Sequence, residues 1–475
     1  MRILFVHSEE DYYSSQKPLE SFERMQFGIS YISSVLKEAG HETRLVVPTP
    51  KTMDVVDEHI ADFDPGLVCF TSVYSVYDFI CKVAARVKAH HPDLFLALGG
   101  PHATLRPDEC LREAFDAVCV GEGEQATLEL VEQLEAGRKP SGIPNFCIKT
   151  AEGVERNEPR PFVADVNSLP FPDRDMWLPW VANPLSRPSV LAGRGCPFDC
   201  TYCSNHALRK VADGKYVRMR SPENITAEVE AYKEKFPLLE EVYLEVETLG
   251  ADTRWAIALC SELEALNSRW EVPIAFGANL RVTPNKDYEK LFSAFAKSNF
   301  RFINIGVESG SERVRRDVLK RNYSNQDIIN AVTTARKHGL QIGTYNLIAL
   351  PSETPAEFME TVDLNRICQP DWFLLSVFFP YPGTELHDLC REQGLLDSSF
   401  DKVLERRRPS MNLPGFSKRQ ISRRFTWSPL LFYGGHRPVK EVIWLVTMSK
   451  ICSNRTTLTL WRAINDRYSP YHQFD

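Results

Sequence analysis

Three cysteines lie within one short stretch of the chain. Cys196, Cys200 and Cys203 are spaced CxxxCxxC and follow a short apolar run. Three thiolates can hold three irons of a 4Fe-4S cube, whereas four cysteines are usual for such clusters. The spacing therefore predicts a 4Fe-4S cluster in which one iron has no protein ligand and can bind another group.

Three other interpretations of the same residues stay open at this point. Zinc could be held by the three cysteines and His206, because Cys203 and His206 are spaced CxxH. Two of the thiols could form a disulfide and leave one spare. The grouping could also be a coincidence among twelve cysteines. From the loop alone, the cluster is favoured over zinc.

Composition limits the class of protein. The chain has 475 residues, enough for two to four domains, and a formal charge of −7. No strongly basic domain stands out, which argues against nucleic acid as the main partner. No window reaches the ~20 apolar residues of a membrane span. Most cysteines are isolated in apolar segments, so we expect free thiols and a reducing cytoplasm.

The first third of the chain alternates apolar strand-like runs with amphipathic helices. This pattern predicts a doubly wound, Rossmann-like α/β domain over residues 1–138. Ligands of such sheets bind at the carboxyl ends of the strands. Here those ends carry Thr71-Ser72, Gly99-Gly100, His102 and Gly121-Glu122.

A second βα repeat begins near Pro188. Six units of about 30 residues predict a partial (β/α)6 barrel of the TIM type over residues 186–385. The cysteine loop follows its first strand, at the end of the sheet where such barrels carry their chemistry, which weakens zinc as a structural ion. Polar residues follow the later strands, namely Glu247, Asn279, Arg281, Glu308 and, in the loop after the fifth, Leu350 to Glu353.

Two further segments flank the barrel. Residues 139–185 are rich in proline and are interpreted as an inter-domain connection wrapped on the surface. Residues 386–475 are locally basic and aromatic, and they predict a mainly helical cap on the barrel. An alternative for this cap is that it covers the substrate opening and touches a lipid surface.

The first domain resembles a known ligand-binding domain. The runs Phe27–Glu42, Gly99–Thr104 and Gly121–Glu124 are similar to the cobalamin-binding domain of cobalamin-dependent radical SAM enzymes. The resemblance covers most of residues 1–135. The DxHxxG loop that places a histidine below the cobalt is missing from the sequence, so the resemblance implies base-off cobalamin without a histidine ligand. The contacts it implies are Thr71, Ser72, Gly99, Gly100, His102, Gly121 and Glu122.

The barrel also resembles a known superfamily. CxxxCxφC, with Tyr202 as the aromatic residue, is the signature of radical SAM proteins, and the resemblance spans roughly 186–385. It implies that Cys196, Cys200 and Cys203 hold the cluster and that the open iron binds the amino and carboxylate groups of S-adenosylmethionine. Relatives often have two aspartates where Glu247 stands. The implied contacts to S-adenosylmethionine are Tyr202, Glu247, Asn279, Arg281, Glu308 and Leu350, and no catalytic residue beyond the cluster ligands is assigned.

Together the two resemblances imply a class B radical SAM methyltransferase. Such an enzyme methylates an unactivated carbon through a 5′-deoxyadenosyl radical and methylcobalamin, on a small-molecule or lipid-like substrate such as a hopanoid, a tetrapyrrole or a natural product. Two alternatives stay open: a cobalamin-dependent cyclase or rearrangement enzyme, and a non-catalytic sensor or carrier. The expected partners are the substrate and an external one-electron donor such as flavodoxin or ferredoxin. We expect no nucleic acid and no transmembrane segment, and a peripheral membrane contact is compatible with the cap.

Overall fold

The computed structural model describes residues 1–396 and 404–468, with side chains up to residue 461. It divides into two compact units. Unit 1 comprises residues 1–189 and 207–220 and the last described residues from 465 onward. Unit 2 comprises residues 190–206 and 221–464.

Unit 1 is built on a seven-stranded sheet in the order β2-β1-β3-β4-β5-β6-β7. Strands β1 to β5 pair in parallel, and the chain reverses direction across the sheet between β1 and β3, which creates a crevice at their carboxyl ends. Strands β6 and β7 pair antiparallel at the edge. The strands are β1 (Arg2–Val6), β2 (Glu42–Val46), β3 (Leu67–Thr71), β4 (Phe95–Gly99), β5 (Ala117–Cys119), β6 (Phe146–Thr150) and β7 (Gly153–Arg156).

Six helices connect these strands. The first ends where Gly40 takes a positive φ of 86°, and the N–H of His41 then closes the helix on the carbonyl of Leu36. The buried strands and the inward faces of the helices form the core. The helices are α1 (Phe27–Glu38), α2 (Val55–Phe63), α3 (Tyr77–His90), α4 (Pro101–Leu105), α5 (Pro107–Cys110) and α6 (Glu124–Glu135).

The proline-rich segment 139–185 is part of unit 1. It contributes the hairpin β6–β7, which the sequence analysis did not predict. Farther along the segment, Trp177 is fully buried, its indole N–H donates to the Ser30 hydroxyl at 2.8 Å, and its ring lies 5.5 Å from that of His7. The proline-rich segment is therefore attached to the rest of unit 1 by the buried side chain of Trp177.

Unit 2 is built on a six-stranded sheet in the order β15-β14-β13-β12-β11-β8. Strands β11 to β15 pair in parallel with their neighbours, so their carboxyl ends lie along one edge. The strands are β8 (Ser189–Leu191), β11 (Glu241–Glu245), β12 (Ala275–Leu280), β13 (Phe300–Glu308), β14 (Gln341–Ile348) and β15 (Trp372–Val377). Between β8 and α8 in the chain come two-residue strands β9 (Gly193–Arg194) and β10 (Arg218–Met219) and the short helix α7 (Asn205–Leu208).

Helices alternate with the strands of unit 2. Two of them begin with complete capping boxes, Ser324 with Asp327 and Thr354 with Glu357. The sequence pattern predicts an α-helix over Glu312–Lys320, whereas the structure has a π-helical turn at Val314–Val318. The helices are α8 (Pro222–Lys235), α9 (Thr253–Asn267), α10 (Glu289–Lys297), α11 (Asn325–Lys337) and α12 (Pro355–Cys368).

The described part of the carboxyl-terminal segment is mainly helical, with turns and isolated bridges over residues 405–416. Residues 397–403 and 469–475 of the expected cap lie outside the described residues. Phe416, Ile421 and Phe432 share a hydrophobic core with Phe358 and Val377 of the barrel. The helices are α13 (Glu385–Glu392), α14 (Lys418–Thr426), α15 (Ser428–Tyr433), α16 (Val439–Cys452) and α17 (Arg455–Tyr468). Among the described residues, no helix combines the length and the apolar character that a membrane crossing requires. The expected fold class, a doubly wound domain followed by a partial barrel and a helical segment, is confirmed.

Candidate active site

The cysteine loop lies at the carboxyl end of the first strand of unit 2. Thr201, in the middle of the loop, is buried and fixes it from two sides. Its hydroxyl donates to the carbonyl of Val318 at 2.6 Å, and its carbonyl accepts from the N–H of Leu386 at 3.1 Å. The loop is therefore held by the rest of the unit independently of any group that the thiols bind.

The three thiols of the loop interact with one another. Burial raises the pKa of Cys196 to about 11, and the neighbouring Glu247 carboxylate and the thiols of Cys200 and Cys203 act in the same direction. Burial also raises the pKa of Cys203. Three thiolates in this loop therefore require a positively charged partner, which an iron-sulfur core bound to all three provides.

The structure bears on the disulfide and zinc alternatives to a cluster. All twelve cysteines are free thiols. His206, the fourth ligand of the zinc alternative, is buried, and its Nε2 accepts the N–H of Glu385 at 3.2 Å. Within residues 1–396 and 404–461, no set of three or more His, Cys, Asp and Glu side chains is arranged to hold a metal ion. The Nε2 of His206 is thus occupied by a backbone contact, which weakens the zinc alternative.

Arg281 and Glu247 lie beside the cysteine loop. The Arg281 guanidinium stacks over the Phe198 ring at 3.7 Å, and its Nη1 lies 2.7 Å from Cys200 Sγ. The Glu247 carboxylate accepts from the Asn205 side-chain amide at 2.9 Å, and the same amide lies 3.6 Å from Cys203 Sγ. One cation and one anion that the sequence analysis assigned to S-adenosylmethionine are therefore next to the cysteines.

Asn279 lies within a row of polar side chains that crosses the sheet. Its side-chain oxygen accepts from the Tyr243 hydroxyl at 2.6 Å, and Tyr243 also accepts from Asn304 at 3.5 Å. The indole N–H of Trp372 donates to the Asn304 oxygen at 3.1 Å. The row joins β11, β12, β13 and β15, so the orientation of Asn279 is fixed by neighbouring strands.

Glu308 and Tyr202 are joined by Arg321, which sequence reasoning missed. Glu308 ends β13 with a positive φ of 62°, and its carboxylate forms a buried ion pair with Arg321. Arg321 also donates to the Tyr202 hydroxyl at 3.0 Å. Burial raises the pKa of Tyr202, so the phenol stays protonated and the contact is that of a neutral hydroxyl.

The loop after β14 contains Leu350 and is fixed by Glu353. The Glu353 carboxylate accepts from the N–H of Ala349 at 2.7 Å and of Leu350 at 3.2 Å. Ala349 and Ser352 have positive φ values of 71° and 59°, so the loop is held in a left-handed conformation that such residues rarely adopt. Burial raises the pKa of Glu353 to about 8.

In unit 1, the carboxyl ends of β3 and β4 touch through their backbones. The N–H of Ser72 donates to the Gly99 carbonyl at 3.1 Å, and the Ser72 carbonyl accepts from the N–H of His102 at 3.2 Å. Gly100 has a φ of 98°, and a Cβ there would lie 2.8 Å from the Ser72 carbonyl oxygen and 2.9 Å from the Thr71 hydroxyl. Gly100 therefore permits a close backbone approach at the sheet edge where ligands of this fold bind.

The remaining residues expected to contact cobalamin differ in their surroundings. Gly121 lies close by, and its N–H donates to the Thr104 hydroxyl at 3.1 Å. The His102 ring is buried between Tyr74 and Tyr77, with ring centroids 5.7 and 4.2 Å away. The Glu122 carboxylate accepts two hydrogen bonds from Arg218, at 2.9 and 2.8 Å, and one from the N–H of Val163. The side chains of His102 and Glu122 thus pack within unit 1.

Two family models match different parts of the chain. Residues 190–364 match the model of the radical SAM superfamily, and residues 23–131 match the model of the B12 binding domain. An uncharacterized methyltransferase of Pyrococcus horikoshii is 29% identical over 415 residues, which are 86% of this chain and 87% of the relative. The anaerobic magnesium-protoporphyrin IX monomethyl ester cyclase of Rubrivivax gelatinosus is 24% identical over 84% of this chain and 71% of its own length.

A solved structure shares the fold. The radical S-adenosylmethionine methyltransferase TsrM from Kitasatospora setae, determined with cobalamin and a [4Fe-4S] cluster bound, has a TM-score of 0.64 and 17% identity. The match covers 82% of this chain and 75% of TsrM. The expectation from the sequence is confirmed: a B12-binding domain is followed along the chain by a radical SAM domain.

Proposed function

We propose that the chain is a cobalamin-dependent radical SAM methyltransferase that methylates an unactivated carbon of a small-molecule or lipid-like substrate. The observation that carries this proposal is the position of Cys196, Cys200 and Cys203. They lie together at the carboxyl end of a parallel sheet, beside Arg281 and Glu247, in a chain that also has a B12-binding domain.

The residues present fit the three cofactors. Three interacting thiols in one fixed loop suit a 4Fe-4S cluster that keeps one iron open. When bound, the cluster supplies the electron that cleaves S-adenosylmethionine, and cobalamin supplies the methyl group. The protein contributes binding, orientation and the exclusion of water.

The chain's own residues have distinct tasks in binding S-adenosylmethionine. Glu247, oriented by Asn205, accepts hydrogen bonds from an amino group, and Arg281 offers a cation to a carboxylate. Glu308 is held by Arg321 and offers carboxylate oxygens to hydroxyl groups. Glu353 takes up the N–H of Leu350, so the Leu350 carbonyl is the group that can accept a further hydrogen bond, from a heterocycle such as adenine.

Cobalamin is assigned to the strand ends of unit 1. Gly99 and Gly100 carry no side chain, so a large planar ligand can approach the backbone closely beside Thr71 and Ser72. The Nε2 of His7 lies 3.1 Å from the Glu9 carboxylate. With His102 also packed within the unit, this arrangement supports binding without a histidine ligand to the cobalt, and the base-off state remains an implication of the resemblance.

A second candidate is a cobalamin-dependent cyclase. It is favoured by the identity to the cyclase of Rubrivivax gelatinosus, which acts on a tetrapyrrole according to its name. Cyclase and methyltransferase require the same cofactor sites and differ in whether a methyl group is transferred.

The test is an anaerobic reconstitution with iron, sulfide, cobalamin and S-adenosylmethionine. Reduction by flavodoxin or ferredoxin is compared with chemical reduction to examine the proposed external donor. Formation of both 5′-deoxyadenosine and S-adenosylhomocysteine supports a methyltransferase. 5′-Deoxyadenosine alone supports the cyclase. Neither product, with cluster and cobalamin both bound, refutes both enzymes and favours a non-catalytic carrier.

A matched cysteine pair tests the cluster itself. Cys203→Ala is expected to abolish retention of the iron and the absorbance of the cluster. Cys452→Ala removes a partly buried thiol far along the chain and is expected to leave both unchanged. Equal iron content in the two variants would refute the assignment.

A further inference from the structure

Helix α16 leaves one face exposed that is both apolar and basic. Val439, Ile443 and Trp444 are 72%, 60% and 60% exposed. Lys440 and Lys450 are also exposed, and helical spacing places all five side chains on one side. We call these five residues the outer face of α16. Three large apolar side chains exposed together on one helix require an explanation that scattered ones do not.

The opposite face of α16 accounts for the helix's attachment to the protein. Val442 is buried, and Leu445, Ser449 and Cys452 line a cavity together with residues of α14 and α15. Glu441, the one acidic residue of the helix, lines the same cavity and pairs with Arg437 at 3.3 Å. The outer face therefore has no carboxylate, and its apolar residues are not needed to hold the helix in place.

The charge around this helix differs from that of the whole chain. Residues 404–461 contain eleven lysines and arginines and two glutamates, whereas the whole chain has 56 basic and 63 acidic residues. The same combination recurs nearby: Trp427 and Leu430 are exposed and line a groove with Arg423 and Arg424. Positive charge and exposed apolar side chains are thus concentrated in the same segment.

This combination distinguishes among partners. A nucleic acid would use the basic residues but leave the apolar ones in water. A second copy of the chain would cover the apolar residues, but it would bring two basic surfaces together. An anionic bilayer satisfies both features, because tryptophan and aliphatic side chains enter the headgroup region while lysines meet lipid phosphates.

We propose that the outer face of α16 docks the protein on the surface of membranes rich in anionic phospholipid. The proposal does not depend on the proposed function, since a carrier or a cyclase would dock in the same way. Docking would bring the enzyme to a bilayer in which lipid-like substrates are dissolved.

The experiment is flotation of the full-length protein with vesicles. Vesicles of phosphatidylcholine with about a quarter phosphatidylglycerol are compared with vesicles of phosphatidylcholine alone. We expect binding to the anionic vesicles only, and weaker binding as NaCl rises from about 0.05 M to about 0.5 M. Absence of binding to anionic vesicles at low salt would overturn the proposal, and so would equal binding to both vesicles.

Variants locate the surface. The triple variant Val439→Asn, Ile443→Asn, Trp444→Ser is expected to lose more than about tenfold in vesicle affinity. Each of Lys440→Gln and Lys450→Gln is expected to lose roughly fivefold. The control, Val272→Asn with Leu238→Asn, changes apolar side chains that are 52% and 76% exposed elsewhere in unit 2 and is expected to bind like the wild type.

Two further outcomes decide against the proposal. Wild-type affinity in the triple variant would show that another surface binds the vesicles. A dimer of the wild type in light scattering that the triple variant lacks would assign the face to a second copy of the chain. Melting temperatures of all variants establish that they are folded.

Discussion

Replacing Glu353 with glutamine is expected to remove a loss of stability that the protein suffers as the pH rises from 6 to 8. The carboxyl group is buried, and burial raises its pKa from an ordinary value of 4.5 to about 8. Between these two values the folded protein keeps a proton that the unfolded chain has released. Stability therefore falls as the pH rises through this window and levels off above pH 8.

The size of the effect follows from the two pKa values. Each pH unit inside the window costs about 1.4 kcal/mol, so this one carboxyl accounts for about 2 kcal/mol between pH 6 and 8. In a unit as large as unit 2, a stability loss of about 2 kcal/mol lowers the melting temperature by roughly 4–8 °C. Glutamine keeps an oxygen that can accept from the N–H groups of Ala349 and Leu350, and it has no proton to lose.

The assay is the melting temperature of the wild type and of Glu353→Gln at several pH values from 6 to 8. The melting temperature of Glu353→Gln minus that of the wild type should become more positive as the pH rises. Asp327→Asn is the matched control, because hydrogen bonds from Ser324 lower the pKa of Asp327 against the effect of burial. Asp327 is ionised in the folded and the unfolded protein throughout the range, so its difference in melting temperature should be constant. A constant difference for Glu353→Gln would refute the reasoning.

Three further predictions use matched pairs. Gly100→Ala should reduce both cobalamin retention and the melting temperature, because its Cβ would lie 2.8 Å from the Ser72 carbonyl. Gly40 has a similar φ, but a Cβ there would have no atom within 4 Å. Gly40→Ala should therefore lower the free energy of unfolding by only about 1–2 kcal/mol and retain cobalamin. Equal losses of cobalamin and of melting temperature in the two variants would contradict the close backbone approach at Gly100. Arg281→Met should weaken S-adenosylmethionine binding at least about tenfold in equilibrium dialysis, since it removes a charge-assisted contact. Exposed Arg301→Met should bind normally, and similar affinities for the two would count against Arg281 as a ligand. Arg315→Met should lower the free energy of unfolding by at least about 3 kcal/mol in urea titrations, because Arg315 is fully buried and donates to the carbonyls of Ser309 and Tyr323. Arg316 forms an exposed ion pair with Asp317, so Arg316→Met should change the free energy of unfolding little. An equal loss of free energy in the two variants would show that the buried hydrogen bonds of Arg315 do not stabilise the fold more than an exposed ion pair does.

The strands and helices that the sequence predicted well have strong local signals. The apolar residues of helix α3 recur at helical spacing, so the sequence predicts a helix over Tyr77–His90, the limits that the structure has. The hairpin β6–β7 was missed because its apolar run is short and lies among prolines, and its second strand is exposed at the sheet edge. Helix α2 was not predicted either. At Val314–Val318 the structure has a π-helical turn, and over a single turn the pattern of apolar residues does not distinguish its i→i+5 hydrogen bonds from the i→i+4 bonds of an α-helix.

Site residues were predicted where their position along the chain was sufficient. Cys196, Cys200 and Cys203 are within eight residues of one another, so their spacing already brings them together. Arg321 could not be found this way, because it meets Tyr202 across 119 positions and its charge suggests an exposed side chain. A place at the end of a strand also fixes the backbone position of a residue but not the direction of its side chain. His102 and Glu122 illustrate this.

The position of the segment 207–220 along the chain determines when unit 1 can finish folding during synthesis. This segment belongs to unit 1, and its Arg218 supplies the double hydrogen bond to the Glu122 carboxylate. A fragment that ends at Ser189 would lack Arg218 and its two hydrogen bonds to the Glu122 carboxylate. On the ribosome, where domains generally fold as they emerge, unit 1 can complete this pairing only after the three clustered cysteines have been translated. The amino-terminal unit is therefore first to be made but is not finished until the cysteine loop exists.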